Sequence, residues 1–236
     1  MTVLTLGPAG TFSHDLAVRL YGDDVLLLPT IRAIIRRVAG GRAKGLVPIE
    51  NSEAGGVGET LQGFLEFDVA ITGEAYMPVR HHLAARGEPE RLSVIYAHPQ
   101  THEQCSVLLD SLGVEVVHTS SNAASAVAMQ GNERAGAVVP EMAAVLYGLP
   151  IALRDIQNSR ENTTRFVEIS PAPGREAGCT KCSLLVDPKA DRVGLLADLL
   201  GIFARRGINL TRIESRPSRR GIGSYLFFID LEISEG

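Results

Sequence analysis

The chain has 236 residues, 45% of them hydrophobic and 21% charged, with a formal net charge of −4. That length suits one large domain or two modest ones around an ordinary core. The acidic balance argues against a nucleic-acid binder, whose affinity rests on a basic surface, and no segment approaches the roughly 20 apolar residues that span a bilayer.

Apolar runs of strand length alternate with helical patterns through the first two thirds of the chain. Val3–Leu6, Val25–Leu28 and Gly45–Ile49 read as strands, and Ser13–Tyr21 and Ile31–Ala39 as helices, the second capped by Thr30. The N-terminus opens directly into the first strand with neither a basic leader nor a long apolar run, which predicts a cytoplasmic protein. A further unit follows, with strands at Ser93–Ala97, Glu115–His118 and Ala135–Val139 and helices near Thr101–Leu112, Asn122–Gln130 and Glu141–Tyr147. Gly113 and Gly148 stand where helix-ending glycines belong. Near-continuous apolar strands alternating with helices predict mostly parallel sheets covered on both faces.

Two such units in tandem predict two lobes. The lengths imply a crossover near Glu74–Arg80 and a return near Asp155–Arg165, after which Thr164–Ile169 rejoins the first lobe. A double crossover makes a hinge, and ligands bind in the cleft it closes. Ser170–Gly178, rich in proline and glycine, reads as a linker. Beyond it come a strand at 182–186, an amphipathic helix carrying Leu195, Leu196, Leu199, Leu200 and Phe203, and strands at Ile208–Ile213 and Tyr225–Ile233.

The polar motifs are few. Gly7-Pro8-Ala9-Gly10-Thr11-Phe12-Ser13 lies between a strand and a helix, so its backbone N–H groups can face an anion at the positive end of the helix, with Thr11 and Ser13 adding hydroxyl donors. Pro48-Ile49-Glu50-Asn51-Ser52 and Asn162-Thr163-Thr164-Arg165-Phe166 place amides and hydroxyls at the mouths of segments that otherwise read as buried strands. Arg165 suits either a substrate carboxylate or a structural acid; Phe166 suits packing better than binding. Cys179 and Cys182 form a C-x-x-C without the second ligand pair that zinc needs, and Cys182 enters a strand where a redox pair would open a helix. His81 and His82 have metal-ligand residue types, but adjacent strand residues point to opposite faces, and the pair reads as structural.

Together with His98-Pro99-Gln100, Gln104-Cys105, Asn209-Leu210 and Glu214-Ser215-Arg216-Pro217, these motifs occur in the order found in prephenate dehydratases, and the chain resembles that family along nearly its whole length. The resemblance implies an α/β fold: a two-lobed, periplasmic-binding-protein-like (type II) catalytic domain over 1–171, with lobe 1 at about 1–76 and 160–171 and lobe 2 at about 77–159. A linker at 172–178 and a smaller α+β, ferredoxin-like ACT module at 179–236 would follow. The family pattern continues that module with another helix and a closing strand. Prephenate would lose carbon dioxide and its ring hydroxyl to give phenylpyruvate, a reaction that aromatisation drives without metal or other cofactor. Thr164 would then be the catalytic donor, with Asn51 and Gln104 as catalytic amides. Gly10, Thr11, Ser13, Ser52, Arg165 and Phe166 would bind substrate. Gly194, Leu196, Asn209, Leu210, Glu214 and Ser215 would form a phenylalanine site between ACT modules of a homodimer or homotetramer, where Leu195 replaces a smaller family residue. Two rival readings remain open: the same chemistry on arogenate, decided by an acidic side chain near the cleft, and a non-catalytic amino-acid sensor.

Overall fold

A computed structural model describes residues 2–41, 43–172, 179–190, 192–218, 220–221 and 223–233. The chain divides into two compact units, residues 1–173 and 174–236. Of the expected linker, 173–178 lie outside the described residues, while Ser170 and Pro171 belong to a strand.

The first unit contains two sheets. Strands β1 (Val3–Leu6) and β2 (Val25–Leu28) flank helix α1 (Phe12–Tyr21), and α2 (Ile31–Ala39) leads to β3 (Lys44–Asn51). Thr11 and Thr30 cap the two helices, accepting from the N–H of His14 and Ala33 respectively. A two-residue strand, β4 (Gly55–Gly56), folds back on β3 before α3 (Gly58–Glu66) and the long β5 (Val69–Pro78). The second sheet begins with β6 (His82–Ala85) and β7 (Val94–Ala97). It continues through α4 (Pro99–Gln104), α5 (Ser106–Leu112), β8 (Glu115–His118), α6 (Asn122–Ala128), β9 (Ala135–Val139), α7 (Glu141–Leu146) and β10 (Ile151–Leu153). The chain then returns to the first sheet as β11 (Thr163–Pro171).

The sheet orders are β2-β1-β3-β11-β5 and β10-β6-β9-β7-β8. Only β1–β2, β1–β3, β7–β8 and β7–β9 run parallel; β11 is antiparallel to both β3 and β5, and β6 is antiparallel to β9 and β10. The expectation of mostly parallel sheets is therefore corrected. A chain that leaves one sheet and comes back enters each with a strand of opposite sense, β6 in the second sheet and β11 in the first, and each of these pairs antiparallel with both of its neighbours. The helix expected over 101–112 is broken at Cys105, whose φ of −119° and ψ of 13° are not helical.

Each sheet is covered on both faces. In the first, Leu16 and Ala17 of α1 pack with Val3, Leu46, Met77 and Phe166. The other face meets α2, where Gly45 admits Ile34, Val38 and Ile169 so closely that a Cβ there would lie 3.0 Å from each. In the second sheet, Leu83, Ile95 and Val138 pack with Cys105 and Leu109, while Ala84, Ala137 and Val139 pack with Ala126, Met129 and Ala143 on the opposite face. No helix among the described residues is long and apolar enough to cross a membrane.

The second unit consists of β12 (Lys181–Val186), α8 (Leu195–Ala204), β13 (Leu210–Pro217) and β14 (Tyr225–Glu232), with sheet order β12-β14-β13 and antiparallel pairing throughout. Phe203 of α8 packs on Ile229 and Leu231, with Leu184, Leu199 and Leu210 around them. Gly194 precedes α8 with φ of 82°, a left-handed conformation that favours glycine.

Candidate active site

The return strand β11 brings the two most polar motifs together. Its register sets Thr164 opposite Asn51 on β3 and Met77 on β5, and Arg165 opposite Glu50 and Tyr76. Between Arg165 and Phe166 the pairing with β3 shifts by one residue, so that Phe166 faces Pro48 and Ile49 is the extra residue of a bulge. Successive side chains of a strand alternate faces. Thr164 and Phe166 therefore point to the α1 side, and Arg165 to the other.

Around Thr164 the hydrogen bonds form a short relay. The Asn51 amide Nδ2 donates to Thr164 Oγ1 at 3.0 Å and to Asn162 Oδ1 at 2.7 Å. Asn51 Oδ1 accepts from the backbone N–H of Glu53 and Ala54, at 3.1 and 2.9 Å, which fixes the amide's orientation. Because Asn51 donates to Thr164, the hydroxyl hydrogen of Thr164 is left to donate elsewhere. Asn162, only 1% exposed, closes the relay by donating from Nδ2 to Glu53 Oε2 at 3.0 Å. Ser52 binds the return segment: its hydroxyl accepts from Thr163 N–H at 3.0 Å and donates to the Glu161 carbonyl at 3.3 Å.

Arg165 is 6% exposed and pairs through Nε with Glu74 at 2.8 Å, with Glu50 at 3.8 Å from its Nη1. Of the two roles open in the sequence, the structure displays the pairing with structural acids. Glu50 shares that face, away from Thr164. Phe166 is 1% exposed in the α1 core. In the glycine-rich loop, Gly10 N–H donates to His14 Nδ1 at 3.0 Å, and the Thr11 hydroxyl donates to the Leu6 carbonyl at 3.2 Å besides capping α1. Ser13 is buried, 6% exposed. Gly10 also abuts the second lobe: a Cβ on it would lie 3.1 Å from Ala143 Cα in α7.

Gln104, the last residue of α4, meets His81 at the crossover, with Oε1 3.1 Å from His81 Nε2. Burial, only partly offset by this bond, pushes the His81 imidazole down to about 4. His81 precedes β6 and meets Gln104 of α4, while His82, the first residue of β6, accepts from Asp155 N–H at 3.0 Å and faces a cavity of about 330 Å³ that Phe12, Arg19, Glu141 and Arg154 help to line. Cys105 beside Gln104 is fully buried, and its thiol is pushed up to about 12 by burial, so it packs and does not react.

Neutral burial of His81 has a consequence for stability. An unfolded chain takes up a proton near the ordinary value of 6.5, whereas the folded one does so only near 4. Stability is thus complete above that window and falls as pH drops through it, by up to about 3 kcal/mol. Denaturant unfolding of the parent and of His81→Leu from pH 7 to pH 4 measures this, and the parent should lose more stability over the range. Parallel curves would mean that burial does not weaken proton binding by His81 in the folded protein.

In the second unit, Gly194 and Leu196 begin α8, whereas Asn209 and Leu210 begin β13. Asn209 Nδ2 donates to Glu232 Oε2 at 2.9 Å, and Glu214 accepts from Arg212 and Arg216. Strands β12 and β13 are parallel, so α8 runs back between them and its start lies near the far end of β13, by Ser215. Within one chain the six residues do not converge: the five steps from Leu210 to Ser215 alone span roughly 17 Å. Strand β13 is an edge of the sheet, with one side of its backbone unpaired by the other described strands.

A two-lobed α/β domain with a donor relay on its return strand, followed by a βαββ module, defines the class: a binding-protein-like α/β domain joined to a small α+β module. The family model of prephenate dehydratase matches residues 3–173, that of the ACT domain matches 189–236, and the chain belongs to the prephenate dehydratase family. It is 40% identical over 236 residues to a bifunctional chorismate mutase/prephenate dehydratase from Aquifex aeolicus, covering 98% of this chain and 65% of that protein. It is 34% identical over 252 residues to prephenate dehydratase from Bacillus subtilis, covering 98% and 88%. Among solved structures, prephenate dehydratase in complex with L-Phe from Arthrobacter aurescens superposes with a TM-score of 0.87 at 31% identity, covering 99% and 81%. The chain thus spans about two thirds of the length of its bifunctional relative.

Sequence reasoning missed two members of the site. Asn162 opens the motif that was singled out, but its link to both Asn51 and Glu53 depends on the register of β3 with β11. His81 was legible only as half of a histidine pair.

Proposed function

We propose that the protein is a prephenate dehydratase, converting prephenate to phenylpyruvate, carbon dioxide and water. The observation that carries this is the free donor direction of Thr164, imposed by Asn51. As the ring carboxylate bond breaks, its electron pair enters the ring and the C4 oxygen departs with its bonding pair. A proton from Thr164 turns that oxygen into water, and solvent returns the proton to Thr164. A donor aimed at a departing oxygen acts where charge develops, which is where preorganised groups contribute most. Incubation of the protein with prephenate, following phenylpyruvate by absorbance, tests the reading. Activity should persist in chelator, because aromatisation supplies the driving force; loss of turnover restored by a divalent ion would sink it.

Arogenate is the second substrate worth assaying, since Glu53 places a carboxylate within the relay. Faster turnover of arogenate than of prephenate would reverse the assignment. A sequence with only three cysteines fits a cytoplasmic enzyme.

The second unit we read as a phenylalanine sensor, completed between copies in a homodimer or homotetramer. The separation of Gly194 and Leu196 from Asn209 and Leu210 within one chain supports a site that needs a second copy. Isothermal titration with phenylalanine should give heat in the parent and less in Ser215→Ala. Heat gained only in Leu195→Ala would identify that leucine as a block, and no heat in any variant would end the proposal. Coupling between such sites is typically about 1–3 kcal/mol, so inhibition of turnover should be clear without being complete.

A further inference from the structure

His81 sits where both crossings between the lobes meet. Its backbone N–H donates to Gln157 Oε1 at 3.0 Å and its carbonyl accepts from Ile156 N–H at 2.9 Å, so the outgoing and returning segments are joined at this residue. Its ring is 1% exposed and bridges the lobes. The Phe12 ring at the start of α1 stands edge-on to it, with centroids 5.4 Å apart and planes at 77°, and Gln104 of α4 lies 3.1 Å from Nε2.

The partner atom decides the proton's place. Gln104 Oε1 only accepts, so the hydrogen resides on His81 Nε2, and Nδ1 is left bare. His81 Nδ1 and Gln157 Nε2 are the two buried side-chain polar atoms among the described residues that make no hydrogen bond. An imidazole held this way leaves its Nδ1 acceptor unused, which a purely structural histidine would be expected to satisfy.

We propose that His81 is a positioning residue for Gln104: by donating from Nε2 to Oε1, it occupies the carbonyl end of that side chain and turns the amide –NH2 toward the substrate. This rests on the reading of Gln104 as a substrate-orienting amide. A side chain at the junction of both crossings also ties that orientation to the relative placement of the lobes, because Phe12 and Gln104 belong to different ones.

The test is steady-state kinetics on prephenate for Gln104→Ala, His81→Leu, His81→Gln, His81→Asn and the double variant His81→Leu/Gln104→Ala, each with a thermal melt. A misplaced orienting group lowers kcat/KM on the order of tenfold to a hundredfold. His81→Leu should show such a loss, and His81→Gln, whose amide nitrogen reaches the Nε2 position, should recover most of it. The double variant should be no worse than Gln104→Ala, because His81 has nothing left to position. Losses that multiply in the double variant, or a His81→Leu protein with normal kcat/KM, overturn the proposal while leaving Gln104 in place. Normal kcat/KM in Gln104→Ala overturns the Gln104 reading, and this one with it. If His81→Leu does not fold, the comparison moves to His81→Asn, which reaches only the Nδ1 position: activity at least tenfold below His81→Gln supports the proposal, and equal activity refutes it.

Discussion

Thr164→Ala should lower kcat by about two to three orders of magnitude, with a much smaller change in KM. A well-placed donor to a departing oxygen contributes roughly 3 kcal/mol to the transition state and little to the ground state, and the split between kcat and KM follows from that. Thr164→Ser keeps the hydroxyl and should retain far more activity. Loss of the methyl group leaves the fold intact, since Thr164 is only half-buried and its strand is held by β3 and β5 on both sides. Asn51→Ala should move in the same direction, because the amide that directs the hydroxyl is gone. Near-normal kcat in Thr164→Ala would return this residue to ordinary strand packing.

Two positions along, the expected result is of another kind. Phe166→Ala should destabilise the protein by about 3–5 kcal/mol, the range for removing a buried aromatic ring and leaving its cavity. The ring is 1% exposed and packs with Val3, Leu16, Ala17, Leu46 and Met77. The loss should appear as a lowered denaturant midpoint with an unchanged slope. A change below about 1 kcal/mol would mean that the site collapses around the missing ring.

Much of the architecture was legible in the sequence because local signals agreed. Val3–Leu6, Val25–Leu28 and Ala135–Val139 are largely apolar runs bounded by breakers, and Ile31–Ala39 has its cap and its apolar face. Strand β5 escaped because along its ten residues only Met77 is buried, so it lacks a hydrophobic pattern to read. Helix α3 escaped because no side chain caps it and it contains Gly58 and Gly63. Gly63 is there for packing: a Cβ would come within 2.3 Å of Ile35 Cδ1. In the site, Thr164, Asn51 and Gln104 were found through family motifs, but the direction of each hydrogen bond required the register. The role of Arg165 remained open in the sequence for the same reason. Period-two alternation already separated it from Thr164, yet nothing local indicated which face held Glu74.

That alternation limits how the family can vary. Thr164 reaches the relay and Arg165 its acids only because β11 meets β3 and β5 at one parity. A single-residue insertion or deletion inside β11 would exchange the two, offering a guanidinium to the substrate pocket and leaving Glu74 facing a hydroxyl. A change of length farther back, between Asn158 and Arg160, leaves that parity untouched, and the cost of loop closure grows only slowly with length. The loop ahead of Glu161 can therefore change length without exchanging the two faces, whereas within the strand a length change must come in twos or be absorbed by a bulge.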